Sequence, residues 1–209
     1  MIALEQELLQ EVDWRTNELS IIRTVPLLCN CNDKQKKILE KYSVVAIYSI
    51  WEGFVTQTFT LYIREINNLK LSYEKISLNI LTHDIFIKYG MTEEYLKHFD
   101  NKCTFVNNIF EYSKLPVAIS PHIPTESNIN FKVINKILKY FHLEELPSKD
   151  FERRLDRLLT YRNYIAHGEC SLSVTEEMNQ DFNLTTIDAM HEVTNRIIDG
   201  FINKKYIRV

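Results

Sequence analysis

Between Val44 and Ile63 the chain reads VVAIYSIWEGFVTQTFTLYI, and apart from its tyrosines Glu52 is the only ionisable side chain there. A run this long and apolar belongs either in a bilayer or in a protein core. Glu52, Gln57 and three threonines argue for the core, as do amphipathic segments elsewhere that need a helix to pack on. At about 100° per residue, Val45, Tyr48, Val55, Phe59, Ile63 and Ile66 share one helical stripe, and Glu52 lies inside it. A lone carboxylate on an apolar face is costly to bury unless something cationic or a donor meets it.

A second helix offers the complementary charge. Leu155, Leu158, Leu159, Ile165 and Ala166 form another apolar stripe, and Arg162 falls in its middle. The economical arrangement brings Glu52 and Arg162 together as a buried pair. Such a pair either builds a site or merely fixes helix register, and spacing alone does not decide between them. Five residues on stands His167, followed by Gly168, a residue suited to the left-handed turn after a helix. On a continuous helix Arg162 and His167 point roughly 140° apart, so they share a face only if the last turn unwinds or a second subunit intervenes. His167 lies off the apolar stripe and is expected to be accessible.

The rest of the chain is organised around these two segments. Apolar periodicity predicts helical segments over 3–25, 34–68, 77–89 (only short turns in a mixed 70–90 stretch, stopped at Gly90), 92–112, 129–141, 148–168 and from Thr185 or Thr186 to about Lys204. Thr92 is the expected cap of the fourth of these, and Ser127 or Asn128 of the fifth. Gly53 is read as a place of close helix approach. Leu115–Asn130, with Pro116, Pro121 and Pro124, is irregular. Only four Gly and five Pro among 209 residues favour long helices over a turn-rich β protein. The expectation is one all-α domain over 1–209, an up-and-down helical bundle.

Composition excludes more than it selects. A net charge of −3 gives no global attraction to nucleic acid, so any RNA contact must come from a local patch such as Arg153, Arg154, Arg157 and Arg162. Arg153 reads best as a solvated residue paired with neighbouring acids. Cys29, Cys31, Cys103 and Cys170 have no disulfide or zinc spacing, and His83, His98, His122, His142 and His191 stand singly, so neither a metal site nor a cofactor is expected. No Gly-rich phosphate loop occurs. The N-terminus has early acids and no basic start, unlike a signal peptide, and a cytoplasmic location without membrane contact is expected.

Three segments in order resemble the HEPN superfamily. RNYIAHGE resembles its R-x(4–6)-H signature, IYSIWEGF its acidic second helix, and TESNINFKVINKIL the segment preceding the motif helix in a bacterial branch of stand-alone ribonucleases. The resemblance implies a helical bundle that dimerises through the motif helix so that two motifs face one cleft. It further implies metal-independent cleavage of RNA by 2′-hydroxyl attack, as in toxins and anti-phage effectors, with an antitoxin or a defence-system sensor ATPase as partner. Carried over, Arg162 would bind the scissile phosphate and His167 would act as general base or acid. Asn163 would bond the phosphate or hold His167, and Glu52 would orient Arg162. Arg154 and Arg157 would contact RNA, with Tyr161 and Tyr164 stacking on bases. Two other readings stay open: a non-catalytic module that binds RNA or protein, and the modified half of a toxin–nucleotidyltransferase pair, with Tyr161 or Tyr164 as the target.

Overall fold

A computed structural model describes residues 3–89, 94–169 and 173–208. Seven α-helices carry these residues: α1 (Ala3–Leu28), α2 (Asp33–Asn68), α3 (Leu78–Tyr89), α4 (Phe99–Ser113), α5 (Phe131–Tyr140), α6 (Ser148–Ala166) and α7 (Glu176–Ile202). Among the described residues no strand forms, and only isolated bridges join Ser72 to Pro116 and Ile76 to Ile207. No helix among them is long and apolar enough to cross a membrane.

The apolar run is the middle of α2, which spans 36 residues, or about 54 Å. Trp51, Phe54, Val55, Phe59 and Tyr62 are fully buried along it, and α1, α6 and α7 pack around it. Each such side chain stabilises the fold by about 1.5–3 kcal/mol when removed from water, so tertiary burial rather than propensity holds this helix straight through Gly53. Its start is fixed by a capping box: Asn32 Oδ1 accepts from Gln35 N at 3.0 Å, and Asn32 N donates to Gln35 Oε1 at 2.9 Å. The short 29–32 break folds α1 back along α2.

Several boundaries differ from the sequence-based expectation. Helix α1 continues through Pro26 to Leu28, because a proline near a helix end removes only one hydrogen bond. The predicted helix from Thr92 starts instead at Phe99, after a separate 3-10 turn at Tyr95–Lys97. Its expected cap, Thr92, and the Gly90 stop before it lie outside the described residues, as does Cys170. Helix α5 is capped not by Ser127 or Asn128 but by Asn130, whose side chain accepts from Val133 N at 2.9 Å. Helix α7 begins at Glu176, capped by Thr175, so Thr185 and Thr186 are buried in mid-helix rather than at its start.

Gly53 marks no tight crossing: a Cβ there would meet Arg15 Nη2 at 3.9 Å, an ordinary contact. The close approach is at Gly200, where a Cβ would collide with Leu143 Cδ2. Helix α4 stands apart from the core. None of its residues is buried, and it is joined to the body through Tyr112, whose hydroxyl donates to the fully buried Asp84 of α3.

Candidate functional site at the crossing of α2 and α6

Helix α6 starts directly after Pro147 and turns its apolar side, Phe151, Leu155, Leu158 and Ile165, against α2 and α7. It ends in a Schellman motif, with Gly168 N bonded to Ile165 O at 3.1 Å and Glu169 N to Tyr164 O at 3.0 Å. Gly168 takes the left-handed conformation this requires, φ 79°. Of the two ways by which Arg162 and His167 could share a face, unwinding of the last turn does not occur. His167 N still donates to Asn163 O at 3.0 Å, so helical phase carries the exposed His167 away from Arg162 within one chain.

Arg162 does meet Glu52, at 3.8 Å between Nη2 and Oε2. The two side chains keep 23% and 28% of their exposure, so the pair is half-buried rather than buried as the apolar stripes suggested. The reason is position: Arg162 lies near the end of α6, past the densest part of the core. A pair this long and this wet is worth about 0–1 kcal/mol, too little to be a stability device. The guanidinium is held by other means. Its plane rests on the Tyr48 ring at 4.4 Å from the centroid, and Nη1 donates to Asn163 Oδ1 at 2.7 Å. Longer contacts, both 3.4 Å, reach Asn128 Oδ1 and the Ser127 carbonyl. Asn163 thus holds Arg162 rather than His167.

The segment before α5 forms the third wall. Ile129 is tied to α2 at both ends of its backbone: its N–H donates to Tyr48 Oη at 2.6 Å, and its carbonyl accepts from Trp51 Nε1 at 3.1 Å. Phe131 N donates to Asp156 of α6 at 3.2 Å. Glu126 and Ser127 both adopt left-handed backbone, φ 52° and 56°, a conformation costing a non-glycine residue about 1–2 kcal/mol. The ties at Ile129 and Phe131, with the Lys136–Glu126 ion pair at 2.6 Å, hold that turn in place. Burial, and then the Glu52 carboxylate, push the Tyr48 phenol up to about 12; the Ile129 bond and Arg162 partly offset this. Tyr48 therefore stays a neutral platform across the physiological range.

The remaining predicted residues are placed elsewhere. Arg154 donates to Asp188 at 2.8 Å and Thr185 at 3.0 Å, and Arg157 to Asp181 at 3.3 Å, all on α7. Tyr161 packs on Phe182, with the Arg157 guanidinium over both rings. These three belong to the α6–α7 seam, while Tyr164 is exposed. The structure brings together Glu52, Arg162 and Asn163, and adds Tyr48, Ser127 and Asn128, which sequence reasoning missed. Tyr48 had a signal, since it precedes Glu52 by four residues on the same helix face.

A carboxylate-backed arginine on an aromatic platform, one turn before an exposed histidine at the end of an α-helix, sets the arrangement against known families. The chain matches the family described as MAE_28990-like HEPN over residues 4–206. It belongs to this HEPN family. No curated protein and no solved structure matches it. The match covers every helix of the bundle, so the α2–α6 crossing, the 126–131 turn and α7 all lie within the HEPN region. Among the described residues no group of three or more His, Cys, Asp or Glu is arranged to hold a metal ion.

Proposed function

We propose that this HEPN chain is an endoribonuclease that cleaves RNA by attack of a ribose 2′-hydroxyl on the adjacent phosphate. The observation that carries the reading is the Arg162 guanidinium. It is oriented by Tyr48, Glu52 and Asn163, yet three of its contacts are no shorter than 3.4 Å. A preorganised cation that is incompletely satisfied and still exposed is suited to phosphate oxygens on which negative charge builds.

In the proposed step the 2′-oxygen forms a bond to phosphorus and the P–O5′ bond breaks. The products carry a 2′,3′-cyclic phosphate and a 5′-hydroxyl. His167 takes the proton from the 2′-hydroxyl, and a protonated imidazole returns one to the 5′-oxygen. Since Arg162 and His167 diverge by about 140° on one α6, the working cleft combines two copies, each supplying an Arg162 and a His167. Arg154, Arg157 and Tyr161, turned toward α7, give the seam its shape; Tyr164, being exposed, is the aromatic of this helix available to RNA. We place this activity in a toxin or defence effector acting in the cytoplasm, restrained by an antitoxin or a sensor partner.

A second reading has a specific observation in its favour. Arg154 and Arg157 are already paired with Asp188 and Asp181, which leaves a thin cationic surface and suits a binding module without catalysis. The deciding experiment is cleavage of total cellular RNA by the purified protein in EDTA, beside its His167→Ala variant. Cyclic-phosphate ends produced by the parent alone support the nuclease. RNA retained but uncut by the parent supports the binding module, and equal cleavage by both proteins removes His167 from the mechanism.

A further inference from the structure

On α2, Tyr48 and Glu52 face α6, whereas Ser49 and Gly53 face α1. Opposite them, Trp14, Arg15 and Glu18 of α1 complete an open groove. The groove and the Arg162 site therefore flank the same solvent-facing stripe of α2, a helix width or about 10 Å apart. Its floor is low because Ser49 and Gly53 are small.

Its wall is unusual for a solvated surface. Trp14 is 49% exposed although large and apolar, while its neighbour Arg15 is 5% exposed. The Arg15 guanidinium lies 4.1 Å from the Trp14 ring centroid, its Nη1 paired with Glu11, and the buried Nε has no partner. The indole N–H is fixed by Glu11 Oε2 at 3.2 Å. A tryptophan held edge-on by a carboxylate and braced by a cation, yet half exposed, is a preset planar surface. Glu18 lines the groove and Glu11 holds the indole beside it, and these carboxylates make the site unfavourable for a phosphate. They suit a nucleobase, whose exocyclic amine donates to a carboxylate while its ring stacks.

We propose that this α1–α2 groove is a nucleobase-stacking subsite for the single RNA strand whose phosphate is held at Arg162, with Trp14 as its platform. The inference rests on the ribonuclease reading and extends it: Arg162 takes the backbone, Trp14 a base of the same strand. Stacking of this kind tolerates sequence and is insensitive to salt, unlike the phosphate contact.

The test uses the full chain and a 2′-O-methylated oligonucleotide of mixed sequence, which lacks the free nucleophile and stays intact. Trp51 is fully buried, so quenching of tryptophan emission on binding reports Trp14. Anisotropy of a labelled copy gives the affinity of each variant. Trp14→Ala should bind about tenfold more weakly with an unchanged salt slope, and Trp14→Phe should recover most of the loss. Gly53→Leu, which fills the groove from a position with room for a side chain, should weaken binding while leaving Trp14 in place. Arg162→Ala should flatten the salt dependence by about 0.7 in log–log slope and preserve the quench.

Binding without quenching, or full affinity in both Trp14→Ala and Gly53→Leu, overturns the subsite. A Trp14→Ala protein that changes from dimer to monomer also overturns it, by making the groove a subunit contact. No oligonucleotide binding by the parent removes the RNA reading and the subsite together. Cleavage that depends on Arg162 but keeps the same KM in Trp14→Ala removes the subsite alone.

Discussion

Asp84 and Arg162 each sit on a largely apolar helix face, and they are treated in opposite ways. Asp84 on α3 is fully buried, and both of its oxygens are occupied: Oδ1 accepts from Ser120 N at 2.7 Å, Oδ2 from Lys88 Nζ at 2.7 Å and from the Tyr112 hydroxyl. Arg162 on α6 is partly exposed and holds one short hydrogen bond with a ring of long ones. The first arrangement is closed and has no capacity left for a ligand. The second is oriented but unfinished. Burial of a charge alone does not mark a site; spare bonding capacity around a fixed charge does.

Breaking the closed cluster should have the largest effect on folding. Asp84→Ala strands the Tyr112 hydroxyl and the Ser120 amide and frees α4 from the body, a loss of about 3–5 kcal/mol to be read by urea unfolding. RNA cleavage by the fraction that remains folded should persist. Arg162→Ala should invert that pattern, abolishing cleavage while changing the unfolding midpoint little, since its ion pair with Glu52 is long and partly exposed, worth about 0–1 kcal/mol. A cluster variant that kills cleavage while folded, or an Arg162→Ala protein that unfolds, would erase the contrast.

Tyr48→Phe probes the boundary between the two classes. It keeps the platform under Arg162 but leaves the buried Ile129 N–H without its acceptor, a cost of about 1–3 kcal/mol, and the loosened turn should lower kcat. Near His83, pH sharpens the contrast further. Burial, which outweighs a hydrogen bond to the His122 backbone, lowers the pKa of this imidazole, stacked on Tyr140. Its folded pKa lies below the unfolded value of about 6.5, so the unfolded chain binds the extra proton, and stability falls as pH drops from 6.5 toward that lower value. Denaturation of the parent and His83→Phe between pH 7.5 and 5 should show the parent losing stability relative to the variant only in the acid half. The smallest effect belongs to Glu52→Ala, within about 1 kcal/mol in stability, with its consequence appearing in cleavage instead.

Legibility in the sequence followed the kind of force involved. Helices α2 and α6, and the meeting of Glu52 with Arg162, could be read because long apolar stripes fix both their phase and the charges they expose. Tyr48 was hidden by its own chemistry, since an aromatic residue in an apolar helix reads as core whether or not a cation rests on it. The 126–129 turn was illegible: its left-handed backbone at Glu126 and Ser127 is imposed by bonds to α2 and α6 that no local pattern encodes. Helix α7 begins about ten residues before Thr185 because Asn179 and Asn183 are buried against the core, Asn179 Nδ2 donating to the Glu40 carbonyl at 2.9 Å, a tertiary bond that no local pattern encodes.

The peptide of Ile129 bears on how such a chain tolerates insertions and deletions. Both of its polar groups are consumed by side chains three residues apart on α2, so the strand of chain passing that point is locked in phase. Adding or removing one residue between Ile129 and α5 would reverse which groups face Tyr48 and Trp51. The same kind of lock occurs upstream: Ile119 N donates to Asn67 Oδ1 at 2.7 Å, its carbonyl accepts from Asn67 Nδ2 at 3.0 Å, and Ser120 N is held by Asp84. Length changes in chains built this way should therefore avoid the stretch from Ile119 to α5, which is pinned at both ends.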